Sequence, residues 1–266
     1  MNYEIIDISY FGLALGFTLL TFVLLGFYKL KINIISTTLL AFFRMTVQLF
    51  LIGIFFEYLF QYNNALINIT WFLVMIVVAS FAFIIKTDIN FKVLIIPSLS
   101  AMILVNFAML LYFNCYIIGL ENIFDAKYII AVGGMLLGNI LRGNIIGLSK
   151  FYNLLTRNSN RYNYYLSCGA STYEICLPYF REALTEAMNP FIATIATMGI
   201  VALPGMMTGQ ILSGISPLTA IKYQIAIVIA IFISSILSIS LTILFSLKNS
   251  IEKSGVLQKS IFKQKP

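Results

Sequence analysis

The 266-residue sequence contains no histidine, and only 10% of its residues are charged. The missing histidine excludes His-ligated zinc sites, Ser-His catalytic pairs and histidine proton relays. Soluble domains carry about 25% charged residues. Here 60% of the residues are hydrophobic and the mean hydropathy is +0.95, which excludes a water-soluble fold. The composition therefore predicts an integral membrane protein.

Nucleotide and cofactor motifs are absent as well. No GxxxxGK[ST] or GxGxxG sequence occurs, and the cysteines, Cys115, Cys168 and Cys176, form no CxxC pair. We therefore expect no ATPase site, no cofactor, no catalytic residues and no enzymatic activity in this chain. The cysteines are expected to be small apolar fillers rather than disulfide partners.

Hydrophobic stretches follow one another along the whole chain. About 20 apolar residues cross the ~30 Å hydrocarbon core of a bilayer, and seven stretches meet this requirement. The first lacks the basic n-region of a signal peptide, so no cleaved leader is expected. We predict an all-α polytopic membrane protein with a single domain over residues 1–266. The predicted spans are Ile8–Tyr28, Ile32–Phe56, a helix within Tyr58–Ile85 that starts near Leu66, Val93–Asn114, Tyr128–Ser149, a helix within Ala187–Ile221, and Tyr223–Leu247.

The distribution of basic residues predicts the orientation of the chain. With the N-terminus outside, only Lys127 and Lys222 of the 17 basic residues fall on the outer side, and Arg44 lies within the membrane. Cytoplasmic loops are rich in lysine and arginine, so the C-terminus is expected in the cytoplasm and the protein in the cell (inner or plasma) membrane. The polar segment 150–186 and the basic tail 248–266 then face the cytoplasm. The net charge of +7 is thereby explained without a nucleic-acid partner.

Arg44 interrupts the second hydrophobic stretch, and Gln48 follows one helical turn later. A lone arginine at the centre of a span costs at least about 2.5–3.5 kcal/mol on insertion scales, so it is expected to face protein or water. The pair is either a hydrogen-bonded lock between helices or a contact along a translocation path.

The sixth stretch contains a predicted helix break. Pro204 and Gly205 interrupt helices, and a broken helix at membrane depth is tolerated where it lines a cavity or is buried in protein. Either this segment lines a substrate path, or it is an outer helix-loop-helix corner filled by methionine. The candidate path residues here are Pro204, Gly205, Met206, Met207, Thr208 and Gln210.

Small residues four positions apart mark a helix-packing face in the fifth stretch. The pairs are Gly134 with Gly138 and Gly143 with Gly147. Glycines at this spacing let two helix backbones approach closely.

The cytoplasmic segment predicts two short helices around a glycine turn, with a Leu-Pro corner after it. A helix pair wedged between two membrane spans suits docking onto a partner. The candidate docking residues are Leu166, Gly169, Ala170, Ser171, Glu174, Leu177, Pro178 and Arg181.

Gly169-Ala170-Ser171 followed by Leu177-Pro178 resembles a shortened coupling loop of ABC importer permeases, without the Glu-Ala-Ala of that loop. A denser match is to the FetB-type family, the permease subunits of iron-export ABC transporters, and to the membrane subunits of plant aluminium-tolerance transporters. The matching residues are Gly134-Met135, Gly138-Asn139, Leu166 to Ser171, Pro178, the block Met198 to Leu212, Gly214, Ser216-Pro217 and Ala220 to Ile225, with Arg44, Gln48 and Gly53 in the second span.

This resemblance implies a permease subunit that exports iron or another metal or small solute. It also implies a separate P-loop ATP-binding subunit, which binds the ATP, and a 2+2 complex with two copies of each chain. The residues leave two alternatives open, an importer-type ABC permease and an ATP-independent channel or secondary transporter. No metal-binding residues are assigned from the sequence.

Overall fold

The computed structural model describes residues 7–87, 89–251 and 256, which form helices and loops with no β-strand among them. This confirms the predicted all-α polytopic fold. Most of the basic tail expected over residues 248–266 lies outside the described residues. The helices are α1 (Tyr10–Lys29), α2 (Ile35–Tyr62), α3 (Ala65–Lys86), α4 (Phe91–Tyr112), α5 (Ala126–Arg157), α6 (Ser159–Ser167), α7 (Thr172–Thr197), α8 (Gly205–Leu212) and α9 (Pro217–Ser250).

Polar side chains determine where many of these helices begin. Each accepts a hydrogen bond from a backbone N–H of the first turn, which would otherwise have no partner. The cap therefore sets where the helix begins, and the ends of the helix differ from the ends of the apolar stretch predicted from hydropathy. These N-cap residues are Ser9, Asn64, Asn90, Asp125, Ser171 and Ser216.

Six helices of the described part of the chain are long and apolar enough to cross a membrane: α1, α2, α3, α4 with its π-helical continuation Phe113–Ile118, α5 and α9. All six lie on predicted stretches. Helix α5 continues to Arg157 instead of ending at Ser149, and α9 begins at Pro217 instead of Tyr223. The segment 150–186 is accordingly divided among the end of α5, all of α6 and the first half of α7.

Helices α5 and α9 run side by side in the same direction. Asn144 Nδ2 donates to Ser238 Oγ at 2.9 Å. Two turns further along both helices, the Tyr152 hydroxyl donates to Ser246 Oγ at 2.7 Å. Because the two helices are parallel, the chain must return from the Arg157 end of the bundle to the Pro217 end between them.

The chain returns through helices α7 and α8, which are separated by a break. Lys150 of α5 pairs with Glu182 of α7, and Gly147, earlier in α5, faces Ala187, later in α7, so α7 runs antiparallel to α5. It ends at Thr197, ahead of Gly199, whose φ of +90° is incompatible with a continuing helix. The span predicted within Ala187–Ile221 is therefore two helices with a loop at 198–204.

The position of the break differs from the prediction. Pro204 is the N-cap of α8 and Gly205 its first residue, so these two residues begin a helix instead of ending one. Proline is well tolerated at a helix start, where its missing N–H has no helical acceptor in any case. The broken helix is confirmed, but the break comes earlier, at 198–204.

Helices α3, α4, α5 and α9 enclose the continuous apolar core, in which Phe72, Phe83 and Ile239 are completely buried. Helices α1 and α2 contribute very little to it. No residue of α1 is buried, and in α2 only Leu59 is, against Ala126 and Ile130 of α5. The apolar surface of α1 and α2 therefore faces away from the rest of the chain.

Glycines of α5 allow two close helix approaches. A Cβ atom on Gly133 would lie 2.4 Å from Phe72 Cε2 of α3, and one on Gly147 would lie 2.8 Å from Ile239 Cγ2 of α9. Gly143 also faces Ile239, so the predicted Gly143–Gly147 packing face is confirmed. The pair Gly134–Gly138 is confirmed only for Gly134, whose Cβ would lie 3.4 Å from Met75 Cε of α3, because Gly138 has no atom within 4 Å of such a Cβ.

All three cysteines are free. Cys176 is buried, in agreement with its expected role as an apolar filler, whereas Cys168 is exposed and fills no space. Cys168 is the C-cap of α6, next to the turn at Gly169, which explains its exposure.

Candidate functional site

A cavity of about 450 Å³ lies between α5, α7, the start of α8 and α9. It is present because the return path is broken: α7 ends before it reaches the other end of the bundle, and the loop 198–204 and α8 complete the passage. The lining includes Met135, Asn139, Arg142, Ala187, Met188, Phe191, Thr194, Met198, Pro204, Gly205, Met206, Gln224, Ile227, Ile231 and Ser235.

The structure brings three of the predicted path residues to this cavity, namely Pro204, Gly205 and Met206. Met207 is buried beside them but does not line the cavity. Thr208 donates its hydroxyl to the Pro204 carbonyl at 3.1 Å, which closes the first turn of α8. The Gln210 side-chain oxygen is buried without a hydrogen-bond partner among the described residues.

Arg44 and Gln48 are not part of the cavity. Both are exposed on α2, whose residues do not line the cavity. They therefore lie on a surface of α2 that is left uncovered by the described residues.

Helix α7 has an irregularity at the level of the cavity. Pro190 lies inside the helix and provides no N–H, so the carbonyl four residues earlier, that of Glu186, lacks its helical donor. The next residue, Phe191, stacks on Phe232 of α9 with ring centroids 6.1 Å apart and an interplanar angle of 18°. This pair holds the second half of α7 against α9, next to Pro190.

The cavity lining combines thioethers with a single charge. The sulfur-bearing residues are Met135, Met188, Met198 and Met206, and the one charged residue is Arg142. Within the part of the chain that the structure describes, no three His, Cys, Asp or Glu side chains come together. The lining therefore offers soft sulfur atoms and a guanidinium, but no cluster of hard anionic ligands for a bare cation.

The turn between α6 and α7 is built from a glycine and a capping box. Gly169 has a φ of +89°, a conformation that glycine adopts readily and other residues rarely do. The Ser171 N–H donates to Glu174 Oε2 at 2.9 Å, and the Glu174 N–H donates to Ser171 Oγ at 3.3 Å. The Ser171 hydroxyl also donates to Glu174 Oε2, at 2.7 Å. This bond and the one from the Ser171 N–H lower the pKa of the Glu174 carboxyl.

This turn borders a groove of about 290 Å³, lined by Arg161, Tyr165, Ala170, Glu174, Ile175, Pro178 and Tyr179. Arg161 Nη2 donates to the Tyr165 hydroxyl at 3.2 Å, and its guanidinium lies 5.4 Å from the centroid of that ring. Helix α6 is anchored below the groove by Tyr162, which is completely buried. A firmly held, exposed groove with both charges can receive a complementary element of another protein.

The predicted docking residues divide into three groups. Ala170, Glu174 and Pro178 line the groove, and Gly169, Ser171 and Arg181 are exposed beside it. Leu166 packs against the core, and Leu177 lines a separate apolar cleft with Phe151 and Cys176.

The structure corrects two details of the predicted docking segment. Leu177 and Pro178 do not form a corner, because both lie inside α7. The second helix is also not short, since α7 has 26 residues. Pro178 lies in the second turn of α7, where it leaves the carbonyl of Glu174 without its helical donor.

Replacing Ser171 with alanine is expected to fray the start of α7. Loss of a serine N-cap destabilises a helix by about 1 kcal/mol, so amide hydrogens of residues 172–175 should exchange severalfold faster while those beyond Ala183 stay protected. Hydrogen–deuterium exchange with mass spectrometry measures this. Ser167→Ala, in the exposed last turn of α6, is the matched control; equal exchange rates in the wild type and Ser171→Ala would contradict the role of the cap.

The sequence concealed several lining residues. Arg142 enters the orientation argument only as a basic residue. Met135 and Met188 lie on helices and Met198 lies in the loop 198–204, and a sequence does not specify the contacts of any of them. A readable signal did exist on α9, where hydroxyl residues recur at every fourth position and so share one face. The structure shows this face to be buried, with Ser234, Ser238, Thr242, Ser246 and Ser250 all inaccessible to solvent.

Comparisons with known proteins agree with the resemblance noted in the sequence. UPF0014 membrane protein YjkA of Bacillus subtilis (strain 168) is 28% identical over 231 residues, which cover 85% of this chain and 90% of the relative. Probable iron export permease protein FetB of Escherichia coli (strain K12) is 26% identical over 231 residues, 85% of this chain and 86% of the relative. Protein ALUMINUM SENSITIVE 3 of Arabidopsis thaliana is 32% identical over 104 residues, 39% of this chain and 38% of the relative.

No solved structure matches the chain. The relatives confirm the likeness to FetB-type permeases and to a plant protein named for aluminium sensitivity. The profile of the Uncharacterised protein family (UPF0014) matches residues 10–251, and the chain therefore belongs to this family of multi-pass membrane proteins.

Proposed function

We propose that the protein is the membrane-spanning permease subunit of an ABC transporter that exports iron or another metal or small solute. A relative that aligns with 85% of the chain is named as an iron export permease. The observation that carries the proposal is the course of α7. Its first two turns border the groove through Ile175 and Pro178, and its later turns line the cavity through Met188 and Phe191.

A single helix thus connects the exposed groove to the interior. Its 26 residues correspond to about 39 Å at 1.5 Å per residue. A partner that moves α6 and the start of α7 would move the cavity wall at the same time. ATP is bound by this partner, a separate P-loop subunit, and its binding and hydrolysis switch the cavity between inward-open and outward-open states. This chain remains a transporter subunit without an ATPase site of its own.

The groove is assigned to the cytoplasm and the protein to the cell (inner or plasma) membrane. Because α3, α5 and α9 are parallel, their basic C-terminal residues Lys86, Arg157 and Lys248 lie at the same end of the bundle as α6. Acidic residues such as Glu121 and Asp125 lie at the opposite end. The positive-inside rule then places the N-terminus outside and the C-terminus in the cytoplasm.

The complex is proposed to contain two permease chains and two ATP-binding subunits. Helices α1 and α2 carry wide apolar surfaces that this chain leaves uncovered, with Arg44 and Gln48 exposed among them. An unaccompanied arginine within the membrane is unfavourable. A second permease chain against α2 would remove it from lipid.

Purification of the chain from gently solubilised native membranes tests the proposed class. We expect a P-loop subunit to co-purify and the eluate to hydrolyse ATP in a vanadate-sensitive reaction, because the permease has no nucleotide motif of its own. A parallel eluate from membranes that lack this chain controls for contaminating ATPases. A partnerless chain without ATPase activity would contradict the proposal and favour an ATP-independent channel or secondary transporter.

A further inference from the structure

The cavity between α5, α7, α8 and α9 contains one charged side chain, that of Arg142. Its position is not at a helix end. Helix α5 begins at Ala126 and continues to Arg157, so Arg142 lies near the middle of its length. This helix is packed on both sides, against α3 and α9, while the Arg142 side chain itself is exposed and borders the cavity.

Arg142 has no neutralising partner in the described part of the chain, where it makes neither an ion pair nor a hydrogen bond. The acidic residues of α7 are already occupied: Glu182 and Glu186 contact Lys150 Nζ at 3.1 and 2.6 Å. No aspartate or glutamate lines the cavity. The cavity is therefore positively charged.

Arg142 is the one charged donor of the lining, in which the Gln224 side-chain oxygen is buried without a hydrogen-bond partner among the described residues, and two other polar side chains are already engaged. The Asn139 side-chain amide donates to the Met135 carbonyl at 2.9 Å, and the Thr194 hydroxyl donates to the Pro190 carbonyl at 2.9 Å. Both bonds stay within their own helices. Guanidinium binds carboxylate oxygens through parallel hydrogen bonds, whereas it repels a bare cation.

The size of the cavity also favours a solute larger than an ion. Its volume of about 450 Å³ is within the range of pockets for small organic molecules. Methionine and phenylalanine side chains on its walls provide apolar contact for the non-charged part of such a molecule. A hydrated divalent cation would find neither anionic ligands nor a matching size.

We propose that the cavity binds a carboxylate-bearing anion, and that Arg142 is the residue that selects it. This inference rests on the proposed transport function and specifies its cargo: iron enters as a negatively charged polycarboxylate chelate and not as a free ion. The free polycarboxylate and its iron(III) chelate both carry carboxylate groups that Arg142 can bind. The experiment below distinguishes between these two ligands.

Equilibrium binding to the full-length protein in lipid nanodiscs tests this inference. The probes are radiolabelled iron(III) citrate, radiolabelled citrate without metal, and iron(II) kept reduced without a chelator. We expect iron(III) citrate to bind and iron(II) alone not to bind. Arg142→Gln should weaken the binding at least tenfold, and Arg142→Lys, which keeps the charge, should retain most of it. Raising the ionic strength should weaken binding to the wild type but hardly affect residual binding to Arg142→Gln.

Arg157→Gln removes a charge from the exposed end of the same helix, away from the cavity, and is the matched control. Binding of citrate without iron as tight as that of the chelate would support the anion site and assign it to the polycarboxylate itself. The inference is overturned if neither carboxylate probe binds, if iron(II) binds in their place, or if Arg142→Gln binds like the wild type. A wrong transporter class would instead appear as a missing ATPase partner, with these binding results unchanged.

Discussion

Replacing Gly133 with alanine is expected to destabilise the helix bundle strongly. The new Cβ would lie 2.4 Å from Phe72 Cε2, far inside contact distance. Phe72 cannot move away easily, because it is completely buried and packs edge-on against Phe107 with centroids 5.3 Å apart. Overpacking of this kind costs about 1–3 kcal/mol, which lowers the melting temperature by about 2–12 °C. Thermal unfolding followed by size-exclusion chromatography in detergent measures the shift.

Gly138→Ala is the matched control for this substitution. It lies on the same helix, undergoes the same change in helix propensity and has no atom within 4 Å of the new Cβ. Alanine is favoured over glycine in a helix interior, so the control should be as stable as the wild type or slightly more so. Equal melting temperatures for the two variants would show that α3 and α5 do not approach as closely as described.

Replacing Gly169 with valine is expected to uncouple the permease from its ATP-binding partner. The φ of +89° is strained for any L-residue with a side chain and most of all for a β-branched one. The strain of about 1–3 kcal/mol would be relieved by a different turn, which displaces α6 from α7 and changes the groove. We expect permease-stimulated ATPase activity to fall about tenfold or more, with the amount of protein in the membrane unchanged.

Gly119→Val controls for backbone strain alone. Gly119 also has a positive φ, of +73°, with open space around its Cα. It lies after α4, at the opposite end of the bundle from the groove. ATPase stimulation that falls equally in both variants, or in neither, would mean that the α6–α7 turn has no special part in coupling.

The helical content and most of the spans were predictable because apolar length depends on local sequence alone. The contacts between helices were harder to predict from the sequence. Successive residues of a helix are rotated by about 100°, and here both Gly133 and Gly134 face α3, through Phe72 and Met75, whereas Gly138 faces open space. The sequence correctly indicated that glycines of α5 permit close packing, but it did not show that Gly133 makes the closest approach.

The candidate site was predicted in part for a similar reason. Pro204, Gly205 and Met206 were recognisable because a proline–glycine pair interrupts any helix in which it occurs. Arg142 and Arg44 were both visible as charges within apolar stretches, yet only Arg142 lines the cavity. Which of two such charges faces a cavity depends on which helices are neighbours, and the hydropathy of each stretch does not contain this information.

The face of α9 that contacts α5 repeats along its length. Hydroxyl residues occur at 234, 238, 242, 246 and 250, and the isoleucine that fits against Gly147, Ile239, is followed four residues later by Ile243. A displacement of α9 by four residues, about 6 Å, would therefore place Ile243 against Gly147 and Thr242 against Asn144. The Tyr152 hydroxyl already lies 2.7 Å from both Ser246 Oγ and Ser250 Oγ.

Pulling α5 and α9 apart would break the bonds of the Asn144 amide and the Tyr152 hydroxyl to Ser238, Ser246 and Ser250, and polar groups left without partners in an apolar surrounding are strongly unfavourable. Sliding them by one turn gives most of the groups an equivalent partner. The interface thus holds the two helices together sideways while it distinguishes only weakly between neighbouring registers along their axis. The same two helices form part of the cavity wall, so a shift of α9 by one turn along α5 would change the shape of the cavity while the helices stay packed side by side.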